Sequence, residues 1–352
     1  MPARSTRTAA ASPGVRVTVR QVASHAGVST ATVSRALAGG TGVGESLRRR
    51  VLDAAATLNY RPNRAARSLR VRRSLTVGVV IPDIQNSFFT GILRGLEHVL
   101  QTGGYAFLLG NSDGRPDRER LYIDTLREEG VAGLIIVPTQ REPHQYRDLQ
   151  AAGVPLVTLD RSAHGLSADH VTVTNREGVR GAVHHLIALG HERIGFVGGP
   201  EHVNVAEDRL AGYEDALTEA AIPVDRSLIQ FSDFQQSGGR AATDALLRLS
   251  GGPTALFVAN NLMTLGAFEA LHERRIRIPD DVAVVSFDDI PWATSLHPPL
   301  TAVAQPTFEL GVTAAQLLLD RLREPYRPFR RVVLDTRLIV RGSCGSHAVS
   351  LA

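Results

Sequence analysis

The chain has 352 residues, enough for two or three domains, and 43% hydrophobic with 21% charged residues is the balance of a globular protein with a core. No apolar run approaches the roughly 20 residues that a membrane-spanning helix needs. A single cysteine, Cys344, excludes an internal disulfide and a cysteine-based zinc site, and fits a reducing cytoplasm. The net charge of +4 conceals an asymmetry: residues 1–73 hold 14 arginines against Glu45 and Asp53, whereas residues 74–352 hold 25 arginines against 33 acids. A small segment at +12 on an otherwise acidic chain calls for a polyanionic partner.

Residues 1–16 are rich in alanine, serine and arginine without an apolar h-region, so they read as a flexible tail and not a secretory signal. Thr18-Val19-Arg20-Gln21 is a capping box, and Val22, Ala23 and Ala26 then share one helical face. Gly27 stops that helix where the chain needs a positive φ. Ser29 is placed to cap a second helix, Thr30–Leu37, with Val33, Ala36 and Leu37 inward. After the glycine-rich loop Gly39–Gly44, a third helix has Leu47, Val51, Ala54, Ala55 and Leu58 on its inner face. Two helices joined by a glycine turn and backed by a third, over residues 17–60 and at strong positive charge, describe a helix-turn-helix DNA-binding domain. Pro62 ends the third helix. Residues 61–73 form a basic connector in which Asn63 caps a short helix, Arg64–Arg70, with Leu69 as its large apolar residue. So short a helix needs something outside itself to hold it.

From residue 74 the pattern changes to apolar strands alternating with amphipathic helices. Leu75–Ile81, Tyr105–Leu109, Gly133–Val137 and Pro155–Leu159 form one series, and Ile194–Val197, Thr254–Val258 and Val282–Phe287 a second. Such runs mean parallel sheets covered on both faces, in two α/β lobes that bind ligands at the carboxyl ends of their strands. Val332–Leu334 and Leu338–Val340 are late strands by which the chain returns to both lobes. The lobes are expected over about 74–174 with 305–334, and about 175–304 with 335–342, followed by a flexible tail at 343–352.

Three motifs invite a catalytic reading. Gly110-Asn111-Ser112-Asp113-Gly114 fits the G-x-S-x-G nucleophile pattern after a strand, but Arg115-Pro116-Asp117 delays the helix that a nucleophile elbow requires at its serine. Gly39–Ser46 has P-loop spacing with Glu45 in place of the lysine and no strand before it. His184 and His185 are adjacent and point to different sides of a helix, so they are no metal pair. The chain is expected to be no enzyme, with no catalytic residues, metal or cofactor.

Val17-Thr18-Val19-Arg20-Gln21-Val22-Ala23, Ala26-Gly27-Val28-Ser29, Thr32-Val33-Ser34-Arg35 and Leu58-Asn59-Tyr60-Arg61-Pro62-Asn63 resemble the DNA-binding headpiece of the lactose-repressor (LacI/GalR) family. The resemblance continues through Ile81-Pro82-Asp83, Asn86-Ser87-Phe88-Phe89, Ala188-Leu189-Gly190-His191, Arg209-Leu210-Ala211-Gly212-Tyr213, Ala259-Asn260-Asn261, Ser286-Phe287-Asp288-Asp289 and Pro298-Pro299-Leu300-Thr301. It implies an all-α headpiece, a hinge helix and a two-lobed, doubly wound α/β core like a periplasmic binding protein. By this resemblance Thr30, Ala31 and Arg35 read base edges, and Thr18, Ser29, Thr32, Ser34 and Asn59 hold phosphates. Tyr60, Asn63, Arg64 and Arg67 extend the DNA-binding set, and Leu69 wedges into the minor groove. The cleft between the lobes is expected to be lined by Asp83, Phe88, Asp160, Arg161, Asn175, Arg209, Phe234, Asn260, Asp288 and Gln305, a set whose carboxylates, guanidiniums, amides and aromatic faces suit a sugar.

The implied protein is a cytoplasmic repressor that binds near-palindromic double-stranded operator DNA as a homodimer, under control of a small effector. Its alternative is a stand-alone sugar-binding or hydrolytic α/β protein with an incidental basic N-terminus. Two positions depart from the family pattern: Gly44 replaces a capping serine, and Asn260-Asn261 replaces an Asn-Asp pair.

Overall fold

The computed structural model describes residues 17–37, 42–60, 74–139, 144–163 and 165–345, and the chain divides into units at 1–73 and 74–352. Local chemistry sets the elements of the first unit. Gln21 N–H donates to Thr18 Oγ1 while Thr18 N–H donates to Gln21 Oε1 at 2.7 Å, and this reciprocal cap starts α1 (Val19–Ala26). Gly27, at φ +63°, ends it. Ser29 Oγ accepts from Thr32 N–H at 3.1 Å at the start of α2 (Thr30–Leu37). Gly44 opens α3 (Glu45–Thr57) with no side-chain cap. The core these helices enclose is made of small residues, Val22, Ala23, Ala26, Val33, Ala36, Val51, Ala54 and Ala55. Arg50 Nε donates to Ala26 O at 3.1 Å and fastens α3 to the α1–α2 turn.

The second unit begins with β1 (Thr76–Ile81), α4 (Ser87–Thr102), β2 (Ala106–Asn111), α5 (Pro116–Glu128), β3 (Leu134–Ile136), α6 (His144–Ala151), β4 (Leu156–Leu159) and β5 (Asp169–Val173). The chain then crosses to a second lobe of α7 (Asn175–Ala188), β6 (Ile194–Gly198), α8 (Asn204–Glu219), β7 (Ile229–Phe231), α9 (Gln236–Leu247), β8 (Ala255–Val258), α10 (Asn261–Glu273), β9 (Ala283–Phe287) and β10 (Thr301–Ala304). It returns to the first lobe with α11 (Thr307–Arg323) and β11 (Arg331–Leu334), and ends in the second with β12 (Arg337–Ile339). The sheets run β11-β5-β4-β3-β1-β2 and β12-β10-β9-β8-β6-β7. All pairings are parallel except β10–β12, where the expectation of purely parallel sheets gives way to an antiparallel edge.

Helices on the sheet faces approach closely where glycine permits it. A Cβ on Gly95 of α4 would stand 2.0 Å from Phe308 O, and one on Gly311 of α11 would stand 2.1 Å from Ile92 O. Three short segments join the lobes: Thr174 between β5 and α7, 305–306 between β10 and α11, and 335–336 between β11 and β12. Two of them are laced together, since Thr336 N–H donates to Thr174 Oγ1 at 2.9 Å and Thr174 N–H donates to Leu334 O at 3.0 Å.

A buried ionic network ties α11 to the first sheet. Asp169, fully buried at the start of β5, accepts from Arg321 Nε at 3.1 Å, Arg327 Nη2 at 3.0 Å and Arg330 N–H at 2.9 Å.

Candidate functional site

In the first unit the packing of α2 decides which residues face outward. Val33 and Ala36 are buried, which leaves Ala31 and Arg35 exposed one turn apart, with Thr30, Thr32 and Ser34 half-buried. Ser29 and Thr32 share a hydroxyl–hydroxyl bond of 2.9 Å beside the cap. The Thr18 hydroxyl is engaged in the α1 capping box. Asn59 stands at φ +48°, with its N–H returning to Ala56 O and that of Tyr60 to Ala55 O at 2.8 Å. This is a Schellman C-cap, so asparagine at 59 has a backbone reason of its own. Tyr60 packs against the headpiece core. Asn63, Arg64, Arg67 and Leu69 lie outside the described residues, as do residues 39–41 of the Gly39–Gly44 loop.

In the second unit the strands of both sheets end at a cavity of about 580 Å³. Each adjoining wall residue follows from this topology: Asp83 lies just past β1, Asn111 at the end of β2, Thr139 past β3 and Asp160 past β4. From the second lobe, Pro200 follows β6, Phe234 follows β7, Asn260 β8, Asp288 β9 and Gln305 β10. Of the ten residues expected in the cleft, nine line it; Asn175 does not. It is buried at the start of α7, and its Oδ1 accepts from Arg209 Nε at 2.9 Å. It therefore supports the wall from behind.

Arg209 is the most constrained group. Its Nη1 donates to Ala259 O at 2.6 Å, and its guanidinium stacks 3.8 Å from the Phe287 ring centroid. Burial pulls its pKa down, opposed by the charges of Asp288 and Asp160. Burial pushes both of those carboxyls up, Asp160 against the pull of Arg161 and Arg209, Asp288 against that of Arg209 and a Gln305 hydrogen bond. Asp288 accepts from Gln305 Nε2 and, at 3.4 Å, from Asn261 N–H. The Asp160 side chain is only 6% exposed, yet among the described residues no donor hydrogen-bonds to its carboxylate; Arg161 Nε stands 3.8 Å away. The Arg161 guanidinium lies 5.4 Å from the Phe234 ring centroid, and its buried Nε has no hydrogen-bond partner among the described residues.

Backbone strain concentrates here. Among the described non-glycine residues, seven have positive φ, and four of them line the cavity: Asp113 (+52°), Asp160 (+61°), Phe234 (+64°) and Asp288 (+74°). Aspartate tolerates this region, but a buried phenylalanine there is an outlier that the surrounding packing has to hold, at a cost of about 1–3 kcal/mol.

Sequence reasoning overlooked Asn86, Asn111, Asp113, Thr139, His202, Asp233 and Gln235, all of them in the wall. The loop Gly110–Gly114, which does not form a nucleophile elbow, supplies Asn111, Asp113 and Gly114 to it. Ser112 itself is fully buried and donates to Ile81 O at 3.2 Å, so it is no presented nucleophile. His184 pairs with Glu219 and His185 with Cys344, on different neighbours as expected. Behind the wall, buried Glu119 accepts from Thr139 N–H at 2.8 Å and from the Tyr146 hydroxyl; burial raises its pKa.

Both units match known proteins. Residues 18–63 match the model for bacterial regulatory proteins of the lacI family, and residues 183–344 match a periplasmic binding protein-like domain. The chain is 34% identical over 326 residues to the ribose operon repressor of Haemophilus influenzae, covering 93% of this chain and 98% of that one. It is 34% identical over 330 residues to the transcriptional repressor CytR of Escherichia coli, covering 93% and 96%. Among solved structures, the lac repressor dimer bound to operator and the anti-inducer ONPF superposes with a TM-score of 0.82 at 30% identity, over 94% of this chain and 99% of that one. A complex of the regulator CelR with cellobiose does so with a TM-score of 0.72 at 34% identity, over 93% and 100%. With a helix-turn-helix headpiece, a two-lobed ligand-binding core and matches along nearly its whole length, the chain belongs to the lacI family of bacterial regulatory proteins and is a DNA-binding transcriptional repressor, not an enzyme.

Proposed function

We propose that a sugar bound in the core cleft controls how tightly this repressor holds its operator. The observation that carries this reading is Asp160: a buried carboxylate with no hydrogen-bond donor among the described residues, at positive φ, between two guanidiniums. Sugar hydroxyls would supply the missing donors, and Phe234 and Phe88 offer faces for the ring's C–H surface. Ribose operon repressors and a cellobiose-bound regulator among the similar proteins support the same class of ligand. Val203 and Val205 in the wall offer a nucleobase no hydrogen bonds. Asp83, Phe88, Asp160, Arg161, Arg209, Phe234, Asn260, Asp288 and Gln305 would touch the ligand, with Asn175 orienting Arg209.

On the DNA side, Thr30, Ala31 and Arg35 would read bases, and Thr18, Ser29, Thr32, Ser34, Asn59 and Tyr60 would contact the backbone. Asn63, Arg64, Arg67 and Leu69 complete that surface on the strength of the sequence alone. A two-fold dimer on a near-palindromic site is the matching assembly. The test is to select operator sequences with the full chain and titrate sugars into the complex. A sugar that changes operator affinity while raising the melting temperature of the free protein is the expected result. Symmetric half-sites and a dimer mass by light scattering should accompany it. Operator binding indifferent to every sugar tried, with nucleosides effective instead, would replace the reading.

A further inference from the structure

We infer that the cleft accepts its sugar only in the free form and rejects the phosphate ester of the same sugar. The inference rests on the sugar reading above and adds a charge rule to it. Among the described residues the wall holds five carboxylates, Asp83, Asp113, Asp160, Asp233 and Asp288, against two guanidiniums. Arg118, outside the wall, neutralises Asp113. Of the two wall guanidiniums, Arg209 is already engaged, and Arg161 has an adjacent carboxylate as counter-charge. Arg209 gives its Nε to Asn175 and its Nη1 to Ala259 O. Arg161 sits beside Asp160.

The hydrogen-bonding inventory points the same way. Among the described residues Asp160 has no hydrogen-bond donor, and Gln305 Oε1 is buried without a hydrogen-bond partner. Unmet acceptors of this kind want hydroxyl hydrogens. A phosphate monoester brings acceptors and negative charge to acceptors and negative charge, and close like charges disfavour binding strongly. Helix starts could compensate, since their N–H groups attract anions. Of the four whose cap residues line the wall, two are spent: Asn86 Oδ1 accepts from Phe88 N–H at 2.9 Å at the start of α4, and Asn260 Oδ1 accepts from Met263 N–H at 2.8 Å at the start of α10. The other two, α8 after Val203 and α9 after Gln235, open with no side-chain cap.

The repressor thus reports a sugar before it is phosphorylated. A kinase reaction, in which a ligand hydroxyl loses its proton and takes the terminal phosphoryl group of a nucleoside triphosphate to leave the diphosphate, would end the signal.

The experiment is a thermal-shift and calorimetric comparison of matched pairs on the full chain: D-ribose with D-ribose 5-phosphate, D-glucose with D-glucose 6-phosphate, and cytidine with its 5′-monophosphate. The free member of any binding pair should bind at least about 100-fold more tightly than its ester. Asp160→Asn, which removes one wall charge and keeps the side chain's size, should narrow that ratio. An ester that binds as well as its parent would place the phosphate on an uncapped helix start, of α8 or α9, and overturn the inference. Binding of cytidine and of no sugar would overturn the sugar reading alone, and the charge rule would then stand or fall on cytidine against its monophosphate.

Discussion

Asn261, the first residue of α10, donates from Nδ2 to Asn86 Oδ1 at 2.8 Å, and so joins the second lobe to the helix cap of the first. The same Nδ2 also reaches Ser87 Oγ at 3.1 Å. The aspartate that usually follows Asn260 in this family could not donate either bond. Asn261→Asp would set a carboxylate against an acceptor that already serves Phe88 N–H. Asn261→Ala would remove the bridge outright. Both variants should exchange amide hydrogens faster around residues 86–92 and 261–265, with Asn261→Asp destabilised by about 1–3 kcal/mol. Unaltered exchange in both would mean the bond does not hold the lobes together.

Ligand affinity should depend on pH through Asp160 and Asp288. Burial holds both folded-state carboxyls above their ordinary value, so the empty cleft favours their protonated forms more than water does. Hydroxyl donors on a ligand favour the ionised forms, so binding below the raised values expels protons. Affinity should therefore fall as pH drops from neutrality toward about 4. Calorimetry in two buffers of different ionisation enthalpy measures the proton release. A pH-independent affinity would exclude ligand contact with these carboxylates.

Arg209→Lys keeps one positive charge but loses the fork that meets Asn175 and Ala259 O together. Affinity for the ligand should drop by about 100-fold, with operator binding in its absence retained. Equal losses on ligand and operator would indicate a general folding defect.

Asn59 offers a way to separate backbone from DNA roles. At φ +48°, Asn59→Gly should leave the melting temperature nearly unchanged, whereas Asn59→Ala should destabilise the headpiece by about 1 kcal/mol. If Asn59 also contacts a phosphate, the glycine variant will bind DNA more weakly at full stability. Arg35→Ala should cost about 1–3 kcal/mol of operator affinity and relax base preference at one position.

Asp169→Ala would leave the Arg321 and Arg327 guanidiniums buried without a counter-charge, because each is 6% exposed. The expected loss is about 3–5 kcal/mol in denaturant unfolding of the core. A loss below 1 kcal/mol would show that water reaches these side chains in solution.

The headpiece was legible because its signals are local. Thr18, Gln21, Gly27 and Ser29 act through neighbours three or four residues away. Strands β5, β7 and β10 escaped notice for a related reason. Asp169-His170-Val171-Thr172-Val173 is half polar because its aspartate answers α11, distant in sequence. Ile229–Phe231 is a three-residue edge, and Pro298-Pro299 masks the start of Thr301–Ala304. Of the cleft residues recovered, Asp83, Phe88, Arg209, Asn260 and Asp288 lie inside the quoted family motifs, whereas Asp160, Arg161, Phe234 and Gln305 lie outside them. His202 and Asp233 carry no spacing signal, since only the convergence of strand ends brings them together. The left-handed φ of Phe234 is equally silent in the sequence, being imposed by packing against Gly199.

The lobes are joined by three short crossings, two of them laced through Thr174 and Thr336. Parallel tethers of this kind resist sliding and leave essentially one soft motion, a rotation of one lobe against the other. Whatever occupies the cleft is thereby translated into a single angle. The wall can change its vocabulary by substitution, toward another sugar or another size, without rewriting the message sent onward. Ligand recognition and DNA recognition are then free to diverge independently, each along its own set of side chains.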